Sequence, residues 1–154
     1  MNDLFLGEDF SVDSTDDVNF LETRINDLSP FAALEVEVDA VVYKTAEHAY
    51  QALRSTPEAR SNIVKARSPL EAWREGQKCK IKNKLIDVNK EELMEKIFRN
   101  KLTQHPYLKE VLKQTGHKAL VKIMPTDLYW GTDSKGSGHN KMGKLWMKLR
   151  DELE

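Results

Sequence analysis

The sequence predicts an α+β fold: a single, mostly helical domain with a small and largely antiparallel sheet. Three observations lead there. Short runs near the N-terminus, above all Leu34-Glu35-Val36-Glu37-Val38, alternate apolar and acidic residues with the period of a half-buried strand. From Thr45 onward the apolar residues recur every three or four positions, the spacing of helices packed on one face. A chain of 154 residues suits one compact domain that buries enough surface to fold without disulfides or a structural metal.

Taken in order, residues 1–17 form an acidic arm (Asp3, Glu8, Asp9, Asp13, Asp16, Asp17) whose apolar Leu4, Phe5, Leu6 and Phe10 suit a short strand. The domain proper is expected over 18–154. Val18–Leu21 is a strand candidate. Leu34–Val38 and Val41–Tyr43 flank a tight turn at Asp39-Ala40, and together these runs suggest one small antiparallel sheet. Thr45 is a side-chain cap for a helix running to about Ser55. Thr56-Pro57 is a second start, because proline suits the first helical turn. Ser68-Pro69-Leu70-Glu71 carries the cap, the proline and a glutamate placed to reach back in a capping box. Asn89-Lys90-Glu91-Glu92 repeats that logic and opens a helix with Met94, Ile97, Phe98 and Leu102 on one face, ended by His105-Pro106. Leu108, Val111 and Leu112 mark a helix that stops at Gly116. Ala119–Ile123 reads as a strand. Met142, Leu145, Trp146, Leu149 and Leu153 define the apolar face of the last helix.

Charge narrows the function classes. Lys plus Arg number 24 and Asp plus Glu 25, which argues against bulk nucleic-acid or membrane-surface binding. Arg24 is the sole basic residue of the acid-rich first 40. Lys78, Lys80, Lys82 and Lys84 form one basic group, and Lys135, Lys141, Lys144 and Lys148 another. Such patches fit either a phosphate-bearing small ligand or a solvated face. Cys79 is the single cysteine, and there is no long apolar run, so a reducing, cytoplasmic setting without a membrane span is expected. Cys79 reads as a small apolar residue rather than a nucleophile. The histidines His48, His105, His117 and His139 lack metal-ligand spacing, and no Gly-x-Ser-x-Gly elbow occurs. No metal and no cofactor is expected.

Three segments carry polar chemistry. In the helix from Thr45 to about Ser55, Glu47, Gln51 and Arg54 share a face and His48 sits beside them. That set either holds a polar ligand or pairs locally at a helix end. In Asp127-Leu128-Tyr129-Trp130-Gly131, the indole either stacks on a base or plugs the core, and the carboxylate either meets ribose hydroxyls or closes a turn. The glycine-rich run Gly131–Gly143 leads into the last helix, where backbone amides and Lys135 and Lys141 would attract phosphate. It is neither a Walker A loop nor a dinucleotide fingerprint, and a mobile surface loop has the same composition.

Together these segments resemble the NADAR/YbiA-like family, from about Leu28 to the C-terminus. The residues that carry the likeness are Leu28-Ser29-Pro30-Phe31, Tyr43–Ala52 around Glu47-His48 and Gln51-Ala52, Ser68-Pro69 through Ala72, Arg74 and Gly76, and Met94 through Lys101. Thr115-Gly116, Leu120-Val121, Asp127, Trp130-Gly131, Asn140 and Gly143 complete the order. The resemblance implies a YbiA-like fold and an N-glycosidase without metal. It implies a partner that is a ribosylated or ADP-ribosylated small molecule or nucleobase, with ADP-ribosylated nucleic acid as a further form. A non-catalytic ADP-ribose or NAD-binding module is the alternative it leaves open.

By the same resemblance Glu47 and Asp127 become the functional carboxylates, meeting around one sugar carbon. Phe31, Tyr50 and Trp130 become pocket walls, and Asn140, Lys141 and Gly143 phosphate contacts. His48, Gln51, Arg54 and Gly131 complete the expected substrate-binding set. The chain departs from the family pattern at Arg54, where lysine is common, and at Trp73, Gln77 and Ile86. A guanidinium stays protonated and cannot attack a sugar carbon as an amine would.

Overall fold

A computed structural model describes residues 3–6 and 24–153. The chain packs as two compact units, one formed by Pro30–Gln104 and the other by Met1–Ser29 with His105–Glu154. The fold is α+β and mainly helical, as the sequence predicts, but the strands divide differently. Instead of one N-terminal sheet, the described residues form two separate two-stranded antiparallel ribbons. The expected strand at Val18–Leu21 and most of the acidic arm lie outside the described residues.

In the Pro30–Gln104 unit, β2 (Val36–Val38) and β3 (Val41–Tyr43) form a hairpin in which Val36 pairs with Tyr43. The strand begins at Val36 rather than Leu34. Leu34 and Glu35 precede it without regular structure, the Leu34 amide donating to the Ala32 carbonyl. The turn residues Asp39 and Ala40 have φ of 52° and 67°. Two left-handed residues match the twist of a two-residue hairpin, although alanine is a strained choice there. A lone ribbon is marginal. Here the helix α4 (Lys90–Gln104) closes its edge: Gln104 Oε1 accepts from the Glu37 amide at 2.7 Å, and the Gln104 and Asn100 side-chain amides donate to the Glu37 carbonyl.

Helix α1 (Ala46–Leu53) is capped by Thr45, whose Oγ1 accepts from the His48 amide. The start at Thr56-Pro57 gives a single 3-10 turn, Pro57–Ala59, followed by α2 (Arg60–Lys65). In α3 (Pro69–Ile81) the Ser68 hydroxyl accepts from the Glu71 amide. Glu71 reaches back one residue further than a capping box requires, to the Arg67 amide instead of that of Ser68. Asn89 caps α4 through Glu91 and Glu92, and Met94, Ile97, Phe98 and Leu102 form its buried face as expected. Helix α1 packs against α2, α3 and α4, so it runs through the middle of its unit.

The second unit joins the two ends of the chain. Its β1 (Asp3–Leu6) pairs with β4 (Leu120–Ile123), Leu4 opposite Lys122, so the start of the acidic arm belongs to the fold. Helix α5 (Tyr107–Gln114) ends at Gly116, whose φ of 61° suits glycine. Helix α6 (Lys141–Asp151) buries Met142, Trp146 and Leu149 and packs on β4 and α5. Leu153 lies beyond its end. Among the described residues no helix is long and apolar enough to cross a membrane.

Candidate active site

Helix α1 is short and buried on nearly every side, from Ala46 through Ala52. Such a helix normally carries only apolar residues, yet this one buries Glu47 (6% exposed), His48 and Gln51 (2% exposed). A buried polar group must be hydrogen-bonded to be tolerated, and the partners are specific. The Gln51 side-chain amide donates from Nε2 to Glu47 Oε1 at 2.8 Å. The Glu47 backbone amide donates to the Pro30 carbonyl at 3.0 Å, which ties the segment bearing Phe31 to the first turn of α1. Glu47, Gln51 and the Pro30-Phe31 segment are thus brought together.

The other expected members of this face turn elsewhere. Arg54 Nη1 donates to the Tyr50 hydroxyl at 3.1 Å, and its guanidinium lies 5.2 Å from that ring centroid. His48 is held at both nitrogens: Nε2 meets the Ala66 carbonyl at 2.9 Å and Nδ1 meets Thr45 Oγ1 at 2.7 Å. A carbonyl only accepts, so Nε2 carries the proton. The threonine hydroxyl can donate to Nδ1 while accepting from the His48 amide. Burial is the main force pushing the His48 pKa below its ordinary value, with the Lys44 charge adding to it; the Ala66 hydrogen bond and Glu71 oppose. The neutral ring ties α1 to the segment between α2 and α3.

Gly76 on α3 completes the α1 environment. A Cβ built there would fall 2.0 Å from Gln51 Oε1 and 2.6 Å from its Cδ. Of the departures from the family pattern, Trp73 and Ile86 are exposed on the surface of this unit.

Asp127 lies in the other unit, in the segment between β4 and α6. Its Oδ1 accepts from the Tyr129 amide at 3.1 Å and the Trp130 amide at 3.0 Å, so this carboxylate closes a turn. Trp130 is 8% exposed, with the Tyr129 ring edge-on at 5.2 Å. The His139 ring and the Lys141 ammonium approach Tyr129 at 6.3 and 5.9 Å.

The glycine-rich run is a packed loop. Thr132 extends β4 by exchanging backbone hydrogen bonds with Lys122 and Met124. Asp133 Oδ1 accepts from the Lys135 and Ser137 amides, and the Ser137 amide chiefly holds its carboxyl below the usual range. A Cβ at Gly131 would meet the Lys122 carbonyl oxygen at 2.8 Å, and one at Gly138 the Gly131 carbonyl oxygen at 2.3 Å. These glycines let backbones cross.

The backbone donors at the start of α6 are taken up by this packing. The amides of His139, Asn140, Lys141 and Met142 donate to the carbonyls of Leu128, Gly131, Tyr129 and Trp130, so four donors expected to face phosphate are already paired. The Asn140 side chain bridges the Lys122 amide and the Leu120 carbonyl, and a Cβ at Gly143 would fall 2.0 Å from that same carbonyl oxygen. Asn140 and Gly143 therefore dock α6 on β4. The Lys141 ammonium is unaffected by this accounting.

Two residues that sequence reasoning did not select are Lys101 (0% exposed) and Lys122 (2% exposed). The ammonium of Lys122 reaches Ser29 Oγ at 3.5 Å. Their signal was a lysine in apolar phase: Lys101 falls four residues after Ile97, and Lys122 two after Leu120 on the inward side of β4. Among the described residues no group of three or more His, Cys, Asp and Glu is placed to hold a metal ion.

Comparison with known proteins gives this arrangement a context. The NADAR domain profile matches residues 12–154. N-glycosidase YbiA of Escherichia coli is 36% identical over 140 residues, covering 88% of each chain. The NMR structure of E. coli YbiA superposes with a TM-score of 0.73 at 34% identity, over 94% of this chain and 82% of that one. The chloroplastic riboflavin biosynthesis protein PYRR of Zea mays is 34% identical over 127 residues, which is 75% of this chain and 20% of that protein. A profile match over nearly the whole length, together with these relatives and the shared YbiA-like fold, shows that the chain belongs to the NADAR domain family.

Proposed function

We propose that this chain is an N-glycosidase, a hydrolase that breaks the bond between a ribose anomeric carbon and the nitrogen of a base. The observation that carries the reading is the Glu47 carboxylate, buried in the middle of its unit and oriented by the Gln51 amide at 2.8 Å. The name of its YbiA relatives supports the reaction class. As the bond from carbon to nitrogen lengthens, positive charge grows on the sugar, and a fixed carboxylate in a low-dielectric setting stabilises it strongly. Water attacks the anomeric carbon and loses a proton to Glu47. The bonding pair leaves with the nitrogen, which takes up that proton, so Glu47 ends as it began. This is the acid/base half of the carboxylate chemistry of glycoside hydrolysis, by analogy.

Asp127 is assigned to the same reaction, as orienter of the sugar hydroxyls or stabiliser of the sugar cation, on its matched motif alone. Phe31, Tyr50, Trp130 and Lys141 are the proposed contacts to base, sugar and phosphate. The substrate class is a ribosylated small molecule. The PYRR relative supports a ribosylated aminopyrimidine phosphate, and an ADP-ribosylated guanine base, free or in nucleic acid, is the second form. Arg54, paired with Tyr50, supports direct hydrolysis over a covalent amine intermediate at that position. A reducing, cytoplasmic setting belongs to the same reading, supported by the buried thiol of Cys79.

The test is base release from a ribosylated aminopyrimidine phosphate and from ADP-ribosylated guanosine. Glu47→Gln is expected to lower kcat about 10²- to 10⁴-fold, the usual worth of a positioned acid/base. Turnover that survives this substitution sinks the assignment. Tight ADP-ribose binding without base release from either substrate would leave the binding-module reading, which the four departures at Arg54, Trp73, Gln77 and Ile86 together motivate.

A further inference from the structure

The structure assigns Gly76 of α3 as a positioning residue: by leaving its side-chain space to Gln51, it fixes the Glu47 carboxylate. The inference rests on the reading of Glu47 given above and extends it to a second helix.

Three observations combine. The Gln51 amide is buried and gives its donor end to Glu47 Oε1 at 2.8 Å. Its other end, Oε1, is buried and has no hydrogen-bond partner among the described residues. An unmet buried acceptor destabilises a fold, so its retention calls for a specific reason. Here the side chain is oriented for its donor, and the acceptor is left against Gly76. Finally, a Cβ at position 76 would stand 2.0 Å from Oε1, 2.6 Å from Cδ and 3.2 Å from Cγ of Gln51. All three atoms belong to the flexible end of the Gln51 side chain, so it is the amide that must shift to make room.

The backbone beneath Gln51 gives it little freedom to retreat. Its carbonyl accepts from Ser55 Oγ at 2.7 Å, and Ser55 is bridged to Leu85. Any side chain at position 76 must therefore move the amide rather than the helix. The amide then leaves the glutamate. A displacement of about 1 Å in a reacting group is enough to cost on the order of a hundredfold in rate. Gly76 is needed for the room it leaves, since its helical position asks nothing of glycine's backbone freedom.

The experiment is a variant cycle on full-length protein, measured on the substrate the wild type cleaves, with kcat and KM determined separately. Gly76→Ala is expected to lower kcat at least tenfold with KM within threefold of wild type. Gln51→Ala is expected to do the same, and Gly76→Ala added to Gln51→Ala to cause no further loss, because the clash partner is gone. Gln51→Met keeps the bulk without the donor and is expected to lower kcat while the thermal midpoint stays near that of wild type; it reads out the proposal even if Gly76→Ala fails to fold. Wild-type kcat in Gln51→Met, or the same loss from Gly76→Ala with and without Gln51, overturns the proposal. Glu47→Gln runs alongside: if it stays active the reading of Glu47 fails, whereas if it is inactive and the Gly76–Gln51 cycle is additive, only this inference fails.

Discussion

Helix α1 and the loop from Asp127 to Asn140 each hold one of the two candidate carboxylates, and they use them in opposite ways. Glu47 sits inside a buried helix and is met by another side chain, the Gln51 amide. Asp127 accepts from two backbone amides of its own turn. Backbone partners two and three residues away fix local chain direction, whereas a side-chain partner on a packed helix bears on the acid rather than on the backbone. The difference teaches that a carboxylate in a motif is read through its partner. Replacing Glu47 by Gln is expected to spare the fold, whereas Asp127 is part of what builds its loop.

The sharpest break in that comparison is expected between Glu47→Gln and Asp127→Ala. The first keeps the melting temperature near that of wild type while kcat falls by the two to four decades stated above. The second loses about 1–2 kcal/mol of stability by denaturant titration, as when a helix cap is removed. Asp127→Asn keeps an acceptor oxygen and should restore most of that stability, so any activity it still lacks reports the charge itself.

Gly138→Ala presses on the loop alone. Its Cβ would meet the Gly131 carbonyl oxygen at 2.3 Å and the Thr132 Cα at 2.6 Å, both backbone atoms, and a cost of about 1–3 kcal/mol is expected in thermal unfolding. A neutral result would show the loop to be as yielding as its composition suggests.

One group in each unit is expected to lose its contribution at an opposite end of the pH scale. His48 in the Pro30–Gln104 unit has its pKa lowered from 6.5, chiefly by burial. The unfolded chain then binds the proton more readily, so the stability His48 contributes is complete above about pH 6.5 and declines as pH falls below it. Tyr107 in the other unit is pushed up from 10.0 to about 12, by burial first and then by its hydrogen bond to Asp27. Its contribution is present below pH 10.0 and lost as pH rises toward about 12. Melting temperatures of His48→Gln and Tyr107→Phe across pH test both signs, since each variant should flatten one limb.

The smallest effect expected is a gain. Ala40, at φ 67° in the hairpin turn, should accept glycine with about 0.5–1 kcal/mol of added stability and no change in kcat.

Much of the fold was legible because it is written locally. Thr45, Ser68 and Asn89 cap helices where a short polar side chain precedes an amphipathic run, and Gly116 ends one where a left-handed residue is needed. The face Met94, Ile97, Phe98 and Leu102 is buried as its spacing requires. The pairing of β1 with β4 was not legible, because more than a hundred residues separate the partners and period-two alternation names no partner. The candidate site divided along the same line. That Glu47 and Gln51 share a helix face follows from helical geometry. That Arg54 joins Tyr50, that Asn140 docks α6 on β4, and that the amides of 139–142 are already paired depends on which chain segment lies alongside.

By itself, then, the sequence determined the helices, their caps and the order of motifs that marks the family, since these depend on residues a few positions apart. Only the tertiary structure decided which polar groups are buried and what each one meets: the place Gly76 leaves for Gln51, the enclosure of Lys101 and Lys122, and the use of Asp127 on its own backbone. The physical reason is that local sequence sets the direction a side chain leaves its helix or strand, whereas the cost of burying a charge or a donor is set by neighbours from distant parts of the chain.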